Sequence, residues 1–406
     1  MKKICFISGY YYPDVTADSH LNLTLCEGLR SLGYEIHVIT PFPSKGLTRE
    51  LKEKYKNIRD EITPSGVMIH RVGYQSCPRN MMMKAFDWLA KIIFIYVKSK
   101  KIDADIFIIM STPPMLGLLG RYINKNAKVI YRLQDIFPDN LILTGKFNTD
   151  SFSFRLLKKL ERYMYQKNDA IVTISNDMKK YIIENNNIAN KVEVVYNWID
   201  INKCIPIERE KNILIKEWNI KSADFCVVYA GNLGIAQNIE TILKASELLQ
   251  GYDNIKFIIV GDGSKKKFVV NFLENSSCKN VKLYNMQPLK LVSHVYSLGD
   301  VDIVSLKKGV SRLAMPSKTW SIMSAGRAVI CEIDSYSELN EIIKKNKCGY
   351  TCEPNDYSAM AAKILELYND REKCKAMGLN ARRFVEKNLT VEQGIEKFNA
   401  VIKRIR

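Results

Sequence analysis

Short apolar runs alternate with amphipathic helical stretches along the whole chain, and the alternation stops and restarts once near its middle. No other feature limits the fold as strongly. A run such as "DIFIIM", with its long apolar core, suits a strand covered on both faces. Strands that alternate with helices build parallel sheets with helices on either side. In the first half, strands are predicted at 3–8, 35–40, 67–72, 105–110, 128–132, 170–174 and 191–196, with helical patterns such as 19–32 and 152–167 between them. The second half resumes with strands at 225–230, 256–260, 281–284, 301–306 and 328–331, each followed by a helix. Two such series, separated by the polar stretch 197–211, predict two doubly wound α/β domains, 1–200 and 201–388. A last helical segment, 389–406, has no strand after it and is expected to pack across the domain interface. Ligands of such sheets bind beyond the carboxyl ends of the strands, so the expected site is the cleft between the domains.

The length of 406 residues fits this division, since one core rarely grows so large. Hydrophobic residues at 47% and charged ones at 26% are ordinary for a globular protein and exclude a disordered chain. Ten cysteines are scattered without a CxxC pair, and the four histidines lie far from the one close couple, Cys348 and Cys352. Reduced, buried thiols and no zinc site are expected. "MKKICFIS" begins like a signal peptide, but its apolar run stops after about five residues with no cleavage site. It reads as a first buried strand. No stretch reaches the roughly 18 apolar residues of a membrane span. The net charge of +18 attracts anions: phosphorylated substrates, anionic lipid headgroups or nucleic acid. Nucleic acid ranks last, for want of a zinc finger, an RNP motif or a basic run interleaved with aromatics.

Three turns could hold a phosphate. "VVYAGNLGIAQNIETIL" is strand, glycine loop and helix; Gly231 and Gly234 let a pyrophosphate approach the backbone at a helix N-terminus. A plain βα turn would look similar. "IIVGDGSKKK" repeats the device with Gly261, Gly263 and three lysines. "MPSKTWSIMSAGRAVI" is predicted as a proline-led turn, a helix of about three turns and a strand. There Pro316 presets the backbone and Ser317 is placed to cap the helix. Lys318 falls in the first turn, where the dipole disfavours a cation unless an anion is near.

"YAGNLGIAQNIETIL", "FIIVGDG", "MPSKTWSIMSAGRAVI" and "SELNEIIKKNKCGY" stand in the order and spacing of the GT4 family of retaining glycosyltransferases. The first half agrees, in "FISGYYYPD", "LCEGLRSLGYEIHVIT", "RLQDIFPDNLILTG" and "VTISNDMKKYIIENN…KVEVVYNWID". The chain resembles that family over nearly its whole length, and most closely its bacterial capsule and O-antigen branch. The resemblance implies a GT-B fold, a nucleotide diphosphate sugar as donor (UDP-linked by family habit) and a lipid-linked saccharide as acceptor. It implies no metal and no cofactor. On the donor side it points to Gly231, Asn232, Leu233, Gly234, Gln237, Gly261, Gly263, Gln287 of the "NMQP" turn, Pro316, Ser317, Lys318 and Ser321. Ser337 and Glu338 open a further helix whose N-terminus could face the donor. Asp135 and Lys318 would be the catalytic groups, and Tyr11, Tyr12 and Asp14 would lie on the acceptor side.

The chain departs from the family in three places. Ile235, Ala236 and Gln237 stand where many members carry an Arg and a Lys. Leu313 and Ser321 stand where a pair of glutamates is usual. "YYPDVTADS" lacks a common glycine pair. Lys318 would restore one positive charge, and Ser321 would offer the ribose a neutral hydrogen bond, weaker than a charge-assisted one. Two DxD spacings, at Asp103–Asp105 and Asp300–Asp302, precede apolar strands and read as strand caps rather than metal ligands.

"MMMKAFDWLAKIIFIYVKSKK" is helical and mostly apolar, with Lys84, Asp87, Lys91, Lys98 and Lys101 in one polar stripe. It suits a helix lying in an anionic membrane interface with Trp88 and Phe94 buried, or one packed beneath a sheet. The first option would keep the protein in the cytoplasm at the inner face of the cell membrane, beside a lipid-linked acceptor. Two rivals to a transferase remain open at this level. One is a nucleotide-sugar epimerase of the same fold. The other is a non-catalytic partner of an active transferase.

Overall fold

The computed structural model describes residues 1–75, 80–142 and 149–405, apart from the side chains of Ala17, Met81, Lys84, Ala85 and Arg121. Cys77, the Lys84 side chain of the polar stripe, and the "LTG" that closes "RLQDIFPDNLILTG" therefore lie outside what is described. The chain divides into two compact units. The described part of unit 1 comprises residues 1–75, 80–142, 149–197 and 391–405, and that of unit 2 is Trp198–Thr390.

Unit 1 holds an eight-stranded sheet: β1 (Lys3–Ile7), β2 (Glu35–Pro41), β3 (Asp60–Ile62), β4 (Met68–Val72), β5 (Ile106–Met110), β6 (Lys128–Arg132), β7 (Ala170–Thr173) and β8 (Val192–Val194). Their order is β3-β4-β2-β1-β5-β6-β7-β8. All pairs are parallel except β3 with β4. β1 and β5 are central, and almost every residue in them is buried, as their unbroken apolar sequences require. The helix Ala17–Ser31 follows β1 because Thr16 accepts a hydrogen bond from the Ser19 amide at its start. The helix Val391–Arg404 also belongs to this unit. Ile395 packs where a Cβ on Gly28 would lie 2.0 Å away, and Tyr34 donates to Asn399 at 2.8 Å.

Unit 2 holds a six-stranded, wholly parallel sheet: β9 (Phe225–Asn232), β10 (Ile255–Asp262), β11 (Val281–Tyr284), β12 (Val301–Ser305), β13 (Ala328–Glu332) and β14 (Gly349–Cys352). Their order is β11-β10-β9-β12-β13-β14. β9 shows how the sequence builds two cores at once. Phe225, Val227 and Tyr229 enter one apolar cluster, and Cys226, Val228 and Ala230 enter the other, with Leu214 and Trp218. The order reverses between β9 and β12, so the loop leaving β9 stands at the switch point. The doubly wound architecture is as the sequence predicts. β3 and β14 are additions to it.

Candidate functional site

In unit 2 the two glycine turns interlock at the carboxyl ends of β9 and β10. Gly231 pairs with Gly261, and a Cβ on Gly261 would lie 2.1 Å from the Gly231 carbonyl oxygen. Gly263, at φ +149°, leaves no room either, since its Cβ would meet the Leu233 carbonyl oxygen at 2.5 Å. Gly231 differs. At φ +139° its missing Cβ faces only the Lys318 ammonium, 3.6 Å away. Asn232, Leu233 and Gly234 complete the loop, and Gln237 fastens it by accepting from the Gly234 amide at 3.2 Å.

Lys318 closes this group from the other side. Its Nζ sits 3.7 Å from the centroid of the Tyr229 ring, buried and without a hydrogen-bond partner. Loss of solvent pulls its pKa down to about 7, against a small opposing influence from Cys331. The helix that carries it, Lys318–Ser324, has two turns rather than three. Ser317 does not cap it, contrary to the sequence reading. Its backbone is already in the right-handed helical region, where its hydroxyl makes no cap bond, and the amides of Thr319 and Trp320 close the first turn on Pro316 and Ser317. Ser321 lies half-buried three residues beyond Lys318.

Other predicted donor residues are placed less closely. Ser337 is fully buried and accepts from the Asn340 amide at 3.3 Å, capping the helix Glu338–Lys345. Gln287 donates to the Asn285 carbonyl, and the Asn285 side chain in turn accepts from Lys266 at 2.8 Å. Lys266 lines an open cavity of about 430 Å³ with Asp262, Gly263, Lys267, Val270 and Asn271. The "NMQP" turn and the "GDG" turn thus share a rim.

The structure fixes the first of the three lysines read in "IIVGDGSKKK" and adds two carboxylates that the sequence reading passed over. Lys265 is held by both oxygens of Glu240 at 2.6 Å and by the Gln237 carbonyl at 3.2 Å, which brings a cation beside the loop that lacks the family's Arg and Lys. Glu332, at the end of β13, is fully buried and accepts from Asn238, Ser305 and the Asn355 amide. Asp334 accepts from the Gly309 amide and from Ser311, fixing the loop after β12. Isolated polar residues at strand ends gave no pattern by which to find these.

In unit 1, Asp14 is committed to the amides of Ser44 and Lys45 at 2.7 and 2.6 Å. Tyr11 is buried against Phe6, whereas Tyr12 is exposed beside Tyr55. Asp135 lies three residues past the end of β6. It keeps an open side toward water yet is hemmed in elsewhere, and that enclosure, with the charge of Asp18 second, pushes its carboxyl up to about 6. Asp18, in the first turn of the helix Ala17–Ser31, is itself raised by burial and held back by the buried Arg132. Arg132 donates to Asn22 and Asn197, and Gln134 exchanges two hydrogen bonds with Asn197. The Asp105 and Asp300 carboxylates accept the amides of Lys3 and Cys226, so each ties strands together.

The helix Met81–Ser99 packs on β2 and β4 with its polarity reversed. Asp87 is buried and pairs with Lys91 at 2.7 Å on the inner side, while Met82, Phe86, Leu89, Ile93 and Val97 are more than half exposed. No described helix is long and apolar enough to cross a membrane.

Two family profiles between them match most of the chain: Glycosyltransferase Family 4 over residues 20–203 and Glycosyl transferases group 1 over residues 210–384. Among curated proteins, the probable glycosyltransferase WbjE of Pseudomonas aeruginosa is 28% identical over 278 residues, 68% of each chain. The putative colanic acid biosynthesis glycosyl transferase WcaI of Escherichia coli K12 is 22% identical over 98% of both. Among solved structures, Anabaena Alr3699/HepE in complex with UDP superposes with a TM-score of 0.73 at 14% identity, covering all of both chains.

Proposed function

We propose, for a chain that belongs to the glycosyltransferases with a Family 4 first half and a group 1 second half, that it moves a sugar from a nucleotide diphosphate donor to a lipid-linked saccharide in capsule or O-antigen synthesis. The donor is read as a UDP-N-acetyl sugar, and transfer as proceeding with retention. One observation carries the donor half: an unpartnered, buried lysine stands against a glycine loop at a sheet's switch point. Such a lysine lacks an anion, and a diphosphate over the Gly231–Gly234 amides supplies one. The relative named for colanic acid biosynthesis and the UDP held by the Anabaena structure support the same reading.

In this reaction the bond from the anomeric carbon to the diphosphate oxygen breaks, and the acceptor hydroxyl oxygen takes its place as its proton passes to the departing diphosphate. Negative charge grows on the leaving diphosphate. Donors fixed in advance at that point lower the barrier most, and Lys318 with the loop amides fills that role without a metal. Asp135 orients the transferred sugar; were the transfer inverting, it would be the base.

The reversed helix Met81–Ser99 supports a lipid-linked acceptor. An apolar outer face, in a chain of net charge +18, suits the surface of an anionic bilayer on the cytoplasmic side. The experiment is thermal stabilisation of the protein by UDP, GDP, ADP and CMP and their sugar conjugates, followed by turnover with a lipid-linked acceptor. A ligand at 100 times its dissociation constant stabilises by about 2.7 kcal/mol. A selective response with acceptor-dependent turnover is expected. No response to any nucleotide would favour the non-catalytic partner instead.

A further inference from the structure

We propose that Tyr229 is a positioning residue, whose ring holds the Lys318 amino group beside Gly231 with no counter-ion, so that the arriving diphosphate supplies the negative charge that the protonated form lacks. This rests on the donor site proposed above and adds a coupling to it.

The ring is well fixed for that task. Tyr229 is buried, and its hydroxyl donates to the Asn232 carbonyl at 2.8 Å, tying the ring to the glycine loop itself. The ammonium lies 3.7 Å from the ring centroid, the geometry of a desolvated cation–π contact. Nothing anionic balances it. From β13 it meets the Cys331 thiol, which burial raises and keeps protonated, and from β9 the Tyr229 phenol, also raised by burial. The charged groups on the other elements packed against its helix are kept neutral or turned to other partners. Asp302 on β12 is raised by burial, which favours its neutral form, against the opposing charge of Arg327, and Arg382 of the helix Arg371–Asn388 binds Glu386 and Ser324. Glu332 is satisfied by Asn238, Ser305 and Asn355.

A lysine so placed is held near neutrality in the free protein, at about 7. A diphosphate at Gly231 favours the charged form and raises that value. Donor binding above neutral pH therefore takes up a proton. Affinity weakens as pH climbs past 7, by about tenfold per unit at the limit, until the bound-state value is reached.

The test is calorimetric titration with UDP at pH 8 in two buffers of different ionisation enthalpy. At that pH the nucleotide's own phosphate, with a second pKa of about 6, is fully ionised. Wild type is expected to take up close to one proton per UDP. Lys318→Met should bind UDP at least tenfold more weakly with no uptake. Tyr229→Phe keeps the ring but loses its tie to Asn232, and should bind UDP with proton uptake retained. Tyr229→Leu should still bind UDP with uptake near zero, since an ammonium released to water is already charged at pH 8. Wild type binding UDP with no proton uptake, while Lys318→Met loses affinity, would overturn the inference and leave the donor site standing. Unchanged affinity in Lys318→Met, or no heat from UDP, GDP or ADP, would remove the donor site and the inference together. Full uptake in Tyr229→Leu would remove Tyr229 alone.

Discussion

The Asp87 carboxylate meets the Lys91 ammonium at 2.7 Å on the inward side of the helix Met81–Ser99, beside the buried Ile95, while Met82, Phe86, Leu89, Ile93 and Val97 turn outward. A helix packed for stability alone would show the opposite polarity. The two faces should therefore fail differently. Asp87→Ala leaves a lysine uncompensated and should lower stability by about 3–5 kcal/mol, read as the urea midpoint. Leu89→Ser and Phe86→Ser on the outer face should change stability by less than about 0.5 kcal/mol. They should reduce co-sedimentation with phosphatidylglycerol vesicles several-fold. Unchanged vesicle binding in the double outer-face variant would detach the helix from any membrane role.

Two glycines of the interlocked turns separate fold from function. Gly261→Ala drives a methyl group to 2.1 Å from the Gly231 carbonyl, where backbone must move, and unit 2 should be severely destabilised. At Gly231 an added methyl meets only the Lys318 ammonium, with the strain of a φ of +139°, about 1–3 kcal/mol. Gly231→Ala should therefore fold, with a depressed melting temperature, and bind UDP at least tenfold more weakly. Equal loss of folding in both variants would refute the distinction.

Asp135 should write its ionisation into both activity and stability. Its carboxyl is raised to about 6, so transfer that needs the carboxylate should fall about tenfold per unit below pH 6. Asp135→Asn should lower turnover by about 10²-fold and remove that acid limb. Stability moves the other way. A raised carboxyl favours the folded state below its unfolded value near 4, and that advantage disappears as pH rises through 6. Asp135→Asn, which cannot ionise, should therefore melt higher than wild type above pH 6 and gain nothing below pH 4. A melting difference that does not change with pH would show that Asp135 ionises freely.

The fold was legible because buried parallel strands leave unbroken apolar runs, and twelve of them could be read directly. β3 and β14 leave no such trace. β3 is a three-residue polar edge held by its pairing with β4, and β14 mixes Gly349, Tyr350, Thr351 and Cys352. The glycine loops of the proposed donor site were legible for a related reason, since glycines mark where backbone must approach backbone or phosphate. What Lys318 does in the free protein was not, because its partner Tyr229 lies 89 residues earlier and reads as an ordinary core aromatic. Ser317 shows the limit of local rules: it has a cap residue's identity and sits at the right position, but its backbone is helical. The outward face of Met81–Ser99 could not be read either. Periodicity separates polar from apolar sides but does not say which side the sheet covers.

His37 and His70, on neighbouring strands, hydrogen-bond to each other at 3.0 Å with their rings nearly parallel. Each is also held by a carboxylate, Glu35 for His37 and Asp60 for His70, and Lys98 reaches Asp60 from the helix Met81–Ser99. A hydrogen bond between two imidazole nitrogens needs one of them unprotonated, so the pair cannot hold a full set of protons without breaking. Burial, opposed by the bond to Asp60, pushes His70 below its usual value. A depressed histidine stabilises the fold above its unfolded value near 6.5, and that contribution is lost as pH falls through its folded value. Wild type should thus lose stability between pH 7 and 5 more steeply than His70→Gln. Parallel urea midpoints for the two proteins across that window would mean the pair accepts its last proton freely.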